Sequence, residues 1–181
     1  DESFVDFADI PEQTLLTQSI IDEHKHLIVL KSISKSFGVP GLRLGIIASA
    51  ASDMIAAMKK DVSIWNINSF GEFYLQIYEK YAKDYKAAMD KFRQERRAFV
   101  NALAEVRGLR VIPSQANYLL CELTNGESAT KLAEDLLDED NILIKDLSTK
   151  KGFEGRNYIR IAIRDEKDNE KLVAALKKKL N

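Results

Sequence analysis

Cysteine is nearly absent. The 181 residues contain one, Cys121, inside an apolar run. A single thiol excludes an internal disulfide and fits a reducing, cytoplasmic setting. Histidine is as scarce: His24 and His26 are separated by one residue, and no second Cys/His pair exists to complete a tetrahedral metal set. The pair reads as a surface turn. Neither charge sign dominates, with 27 Lys and Arg against 28 Asp and Glu and a net charge of -1. No basic excess argues for nucleic acid, and no block of like charge argues for a tail. The apolar runs are far too short to span a membrane, and no signal peptide is visible. There is no internal repeat. What remains is 45% hydrophobic and 30% charged, the composition of a chain that can pack a core.

The stretch around which the chain is organised is Ser32-Ile33-Ser34-Lys35-Ser36-Phe37-Gly38-Val39-Pro40-Gly41-Leu42-Arg43-Leu44-Gly45. Short apolar runs flank it at residues 27–30 and 44–48, and both read as buried strands. Lys35 therefore falls on a loop between two strands, where functional groups concentrate. Around it stand the hydroxyls of Ser32, Ser34 and Ser36 and the guanidinium of Arg43. Those are the donors that hold a phosphate. An amine beside a phosphate site is what an enzyme needs to hold the aldehyde of pyridoxal phosphate. The spacing is not that of a Walker loop, which places its lysine after a Gly-x-x-x-x-Gly run.

The pattern Ser-x-Ser-Lys followed by Gly-x-x-Gly-x-Arg-x-Gly resembles the Schiff-base segment of fold-type-I pyridoxal-phosphate enzymes. The branch is the one that contains histidinol-phosphate aminotransferase and threonine-phosphate decarboxylase. The resemblance covers the whole chain but only the family's C-terminal half, and it implies that the chain is a fragment. The implied fold class is α/β: the C-terminal part of the cofactor-binding large domain, over residues 1–70, then a long linking helical region, 71–108, then a small α+β C-terminal domain, 109–181. The implied cofactor is pyridoxal 5'-phosphate, with Lys35 and Asp1 catalytic and Asp1, Ser32, Ser34, Lys35 and Arg43 around the cofactor. Asp1-Glu2-Ser3-Phe4 is similar to the family's Asp-Glu-Ala-Tyr segment, whose aspartate pairs with the protonated pyridine nitrogen. Phe4 departs from the tyrosine usual in aminotransferases and leans towards the decarboxylases. Substrate binding is implied for Arg160, in Tyr-Ile-Arg-Ile-Ala-Ile-Arg, for Asn117, and for Arg164, which could instead pair with Asp165 or Glu166. The implied activity is aminotransferase-like, on an amino acid that can carry a phosphate. The alternatives are a decarboxylase of the threonine-phosphate type and a non-catalytic module of the same fold. A homodimer is expected in the parent, and the fragment alone is expected to be inactive, with apolar surface left open.

The remaining expectations are structural. Residues 12–25 read as a helix, and Ser52 or Asp53 as the cap of another that ends at Lys60. Trp65 is expected either near the site or packed in a capping loop. Aromatic residues three or four apart predict helix from Phe70 to about Val106, as two helices or one bent one. Arg93, Arg96 and Arg97 read as a solvated face, and Gly108 as the helix stop. Strands are expected over 109–112, 118–123, 142–145 and 157–164. Helices are expected over 128–139, with Leu132, Leu136 and Leu137 inward, and after Asp165, with Leu172, Val173, Leu176 and Leu180 inward. Arg160 is expected to be a buried guanidinium in need of an anion.

Overall fold

The structure, a computed structural model, describes residues 1–181. It divides into two compact units, Asp1–Met89 and Asp90–Asn181.

The first unit begins with an irregular segment whose Glu2 N–H donates to the Leu30 carbonyl at 2.7 Å, so it runs beside the first strand. Helix α1 is Gln18–Glu23, much shorter than the residues 12–25 expected. Residues 2–16 are instead tied together by side chains: the Glu2 carboxylate accepts from Thr14 Oγ1 and from the Leu15 N–H. Strands β1 (Val29–Ser32) and β2 (Gly45–Ala48) pair antiparallel, with Ser32 opposite Gly45. The expectation that both are buried fails. Val29 is buried, but Ile28, Leu30, Ile46 and Ile47 are 43–48% exposed. A two-stranded ribbon has no further strand in this unit to shield it. Helix α2, Ser52–Asp61, starts one residue earlier than a Ser52 cap would allow. Ala51 stands at the cap and no side chain bonds there. Helix α3 is Ser69–Ile77, capped by the Asn68 side-chain Oδ1, which accepts the Gly71 N–H. A 3-10 turn, Tyr78–Tyr81, then joins it to α4, Ala82–Ala104, which continues into the second unit. The long helical stretch is thus two helices in tandem.

The second unit has a four-stranded antiparallel sheet in the order β3-β4-β6-β5. Its strands are β3 (Leu109–Ile112), β4 (Tyr118–Leu123), β5 (Lys145–Asp146) and β6 (Tyr158–Ala162). Leu119, Cys121 and Leu123 of β4 alternate into the core, and the register sets Leu119 opposite Ile161 and Cys121 opposite Ile159. Helices α4, α5 (Ala129–Asp140) and α6 (Glu166–Leu180) supply Phe99, Leu103, Leu132, Leu136, Leu172, Val173 and Leu176 to the same core. An antiparallel sheet with one covered face alternates in this way. Caps fix the helix starts: Ser128 accepts from Lys131 N–H, and Asp165 accepts from Asp168 N–H. Gly108 is not the helix stop expected of it, since α4 ends at Ala104; it has φ +70° at the turn into β3, where an added Cβ would lie 2.7 Å from the Asn125 side chain. Only glycine meets both demands.

Three further expectations need correction. The strand expected over 142–145 begins only at Lys145, because Ile142 closes the end of α5 through its N–H to the Leu136 carbonyl. Leu137 is 46% exposed rather than inward, one residue past the buried Leu136 and rotated off the stripe. Arg96 is buried, not solvated; its guanidinium lies 5.9 Å from the Phe92 ring and donates to the Ala116 carbonyl.

Candidate active site

In the first unit, the turn between β1 and β2 carries Lys35. Its shape follows from what its neighbours do. Ser34 is buried and its hydroxyl donates to the Leu44 carbonyl at 3.1 Å. Ser36 is buried and its hydroxyl donates to Asp6 Oδ2 at 2.7 Å. Phe37 stacks on Tyr85 with ring centroids 4.3 Å apart and planes 5° from parallel. Lys35 points the other way. It is exposed, and its amine lies 5.0 Å from the centre of the Phe4 ring.

Asp1, Ser32 and Arg43 line one concavity of 550 Å³, together with Ser3, Leu44 and Gly45, Ile46 and Ile47 of β2. Asp1 Oδ1 accepts both the Ser3 N–H, at 2.9 Å, and the Ser3 hydroxyl, at 2.6 Å. Ser3 Oγ in turn accepts from the Ser32 N–H at 3.2 Å. These bonds fix the Asp1 carboxylate against the end of β1. Arg43 sits in left-handed backbone at φ 55°, at the end of the 3-10 turn Pro40–Leu42. That conformation is costly for a side chain with a Cβ and is kept only where surroundings hold it. Here the Arg43 guanidinium folds back on the Pro40 carbonyl at 3.2 Å, and its side chain is exposed.

Of the phosphate donors expected, Ser32 and Arg43 reach the concavity. Ser34 and Ser36 do not offer their protons to it, because Leu44 and Asp6 hold them. Lys35 is outside the lining of the concavity, on the neighbouring turn. A carboxylate, a hydroxyl and a guanidinium around one space of ordinary ligand size fit a group with a basic nitrogen and an anionic tail. Trp65, expected near the site or packed, is 88% exposed, beside Ile64 at 93%. Asn68 instead does the local work, donating to the Leu42 carbonyl at 3.0 Å while it caps α3.

Beneath the turn lies a polar network that sequence reasoning gave no role. Asp6 Oδ1 accepts from Lys31 Nζ at 2.6 Å, with both side chains about 15% exposed, while Oδ2 holds Ser36. The signal was available: a carboxylate in Phe4-Val5-Asp6-Phe7, where its neighbours are apolar. The Tyr85 hydroxyl is buried close to Ser36 and Asp6 but short of full hydrogen-bond geometry with either. Burial, reinforced by the charge of Asp6, pushes it up to about 12. Burial also raises Tyr74 and Tyr78.

In the second unit, Arg160 faces outward on β6 and is exposed, so the expected buried guanidinium is corrected. Strand alternation puts Ile159 and Ile161 into the core and Arg160 on the open face. Its guanidinium lies 5.2 Å from the Tyr118 ring centre and has no carboxylate partner, with Lys145 directly across the ladder. Asn117 precedes β4, and its carbonyl accepts the Ile163 N–H. Arg164 is exposed and pairs with Asp168, not with Asp165 or Glu166, and that carboxylate raises its already high value. Asp165 is occupied as the cap of α6.

The family profile of aminotransferase class I and II matches residues 1–176, so the chain belongs to that family, whose enzymes depend on pyridoxal phosphate. A relative 37% identical over 176 residues is the CMP-5'-(3-aminopropyl)phosphonate synthase of Streptomyces rubellomurinus, matched over 97% of this chain and 28% of its own. The L-serine phosphate decarboxylase of Sulfurospirillum multivorans is 36% identical over 181 residues, 98% of this chain and 46% of the relative. Among solved structures, the histidinol-phosphate aminotransferase of Clostridium acetobutylicum matches with a TM-score of 0.89 and 30% identity, over all of this chain and 53% of that one. The chain spans about half the length of the curated relatives it matches, or less.

Proposed function

We propose that this chain is the part of a pyridoxal-phosphate enzyme that carries the cofactor lysine. Its substrate is an amino acid bearing a phosphate or phosphonate group, and the reaction is decarboxylation. The observation that carries the reading is the gathering of Asp1, Ser32 and Arg43 around one concavity beside the turn that presents Lys35. Bound there, the cofactor supplies an electron-poor ring that takes up charge from the substrate's alpha carbon. The Asp1 carboxylate would keep a ring nitrogen protonated. Ser32 and Arg43 would hold the phosphate by charge-assisted hydrogen bonds. The Lys35 amine, on the adjoining turn, would hold the aldehyde and move protons at the reacting carbons. Arg160, exposed on β6 with its guanidinium over the Tyr118 ring, would take a substrate carboxylate, and Asn117, the residue before Tyr118, is the second polar group assigned to the substrate. Family enzymes work on amino acids as dimers, and we extend both properties to the whole enzyme.

Two features favour decarboxylation. Phe4 lies under the Lys35 amine and offers no hydroxyl where aminotransferases of the family carry tyrosine. The serine-phosphate decarboxylase is also more alike in sequence than the aminotransferase whose structure matches. That structural match is the ground for the second reading, transamination.

Full-length enzyme incubated with pyridoxal phosphate and phosphoserine or phosphothreonine tests both. The expected result is a visible cofactor band, fixed on Lys35 by borohydride, and release of carbon dioxide. Lys35→Ala should lose the band and lower turnover by at least about 10²-fold, the lower end of what positioned proton transfer contributes. A keto acid product would select transamination. Absence of any band in the wild-type enzyme would leave a non-catalytic module.

A further inference from the structure

We propose that Asp6 is a positioning residue for the Lys35 amine, acting through Ser36 and Lys31; this rests on the reading of Lys35 given above. The Asp6 carboxylate divides its two oxygens. Oδ1 takes Lys31 Nζ at 2.6 Å, on β1 four residues before Lys35, and Oδ2 takes Ser36 Oγ at 2.7 Å, the residue directly after it. One side chain thus ties down both sides of the Lys35 position. Ser34 on the Leu44 carbonyl and Phe37 on the Tyr85 ring complete the hold. As a result Lys35 is the one exposed side chain among residues 33–37.

Charge explains why a carboxylate stands there rather than a neutral acceptor. Lys31 is largely buried, and an ammonium in that place needs an anion. Asp6 supplies it and so keeps Lys31 engaged, which leaves Lys35 as the free amine of the turn. A neutral acceptor would hold Ser36 but leave the Lys31 charge uncompensated.

The test uses the full-length holoenzyme and two readouts, amide hydrogen exchange across residues 33–39 and the split between kcat and KM. In the folded turn, the Phe37, Gly38 and Val39 N–H groups are bonded to Ile33, Lys35 and Ser34 carbonyls, so loosening is visible there. Ser36→Ala keeps the Lys31–Asp6 pair and therefore the fold, whereas Asp6→Asn removes the charge and risks it. Ser36→Ala should speed exchange across 33–39 and lower kcat about 10-fold with KM held within about twofold, the mark of misplacement rather than lost binding. Ser36→Thr, which keeps the hydroxyl, should restore both. Unchanged exchange in Ser36→Ala, or faster exchange with wild-type kcat, overturns the proposal. Retention of the cofactor band and turnover by Lys35→Ala overturns the underlying reading instead, and the positioning role falls with it.

Discussion

The two units bury their apolar residues in opposite ways. Asp90–Asn181 closes a core on itself: alternating strand residues meet the apolar stripes of α4, α5 and α6, and Leu103, Leu119, Leu136, Ile159 and Leu176 are wholly enclosed. Asp1–Met89 leaves Ile46, Ile47, Ile64 and Trp65 in the open and buries the hydrophobic side chains of only Phe7, Val29, Ile33 and Leu44, beside Ser3, Ser34 and Ser36. Its organised part is a set of polar bonds around Asp6 and Ser3. The unit with the better core carries its candidate residues on the open sheet face and at a strand entry. The unit with the poorer core holds the amine and the anion site. A sheet with one face covered by helices stabilises itself, whereas the two-stranded ribbon of this chain leaves most of its apolar side chains open.

The contrast breaks most visibly under truncation of apolar side chains. Leu103→Ala should cost about 2–5 kcal/mol, as for buried leucines elsewhere, while Ile47→Ala in this chain should cost no more than about 0.5 kcal/mol. Urea midpoints at constant slope measure both; equal losses would mean that the open strand is not open.

Alkaline pH separates the units next. Burial holds the Tyr85 hydroxyl protonated, so the folded chain releases that proton later than the unfolded one. Its share of stability is intact below the ordinary tyrosine value of 10.0 and is lost as pH rises towards about 12. Tyr85→Phe should remove that loss from the first unit and cost nothing at neutral pH, since the hydroxyl has no hydrogen-bond partner to lose. Tyrosine absorbance and circular dichroism against pH would show it.

The smallest effect is also the most selective. Burial pushes the Cys121 thiol up to about 12, and the side chain is enclosed. An alkylating reagent at neutral pH should leave it untouched until the second unit unfolds, so labelling against denaturant reports that unit alone. Labelling at the native rate of a free thiol would show that the core opens locally.

Most of the second unit was legible in its sequence because its periodicities are long. Leu172, Val173, Leu176 and Leu180 mark a helix face, and Tyr118 to Leu123 alternates as a strand does. The tandem helices were legible in existence, though not the 3-10 turn at Tyr78–Tyr81, since the aromatic spacing runs straight through it. The short apolar runs around Lys35 gave strands but not their burial. Burial depends on what covers a strand, and no local pattern encodes that. At the site, residue types were readable and their commitments were not. Ser32, Ser34 and Ser36 look alike in sequence; in the fold, Leu44 takes one proton and Asp6 another. Arg96 and Arg160 were read the wrong way round, one as solvated and one as buried, because a single arginine carries no sign of which face it occupies.

The order of residues by itself determined the family motif, the loop that bears Lys35 and the helix cap at Asp165. Each of these depends on spacing, which is local. Only the tertiary structure decided that Asp6 holds Lys31 and Ser36, 25 and 30 residues away, and that Asp1 meets Arg43 across one concavity. Hydrogen-bond partners that far apart in the chain are chosen by packing, and packing is settled only when the whole unit has folded.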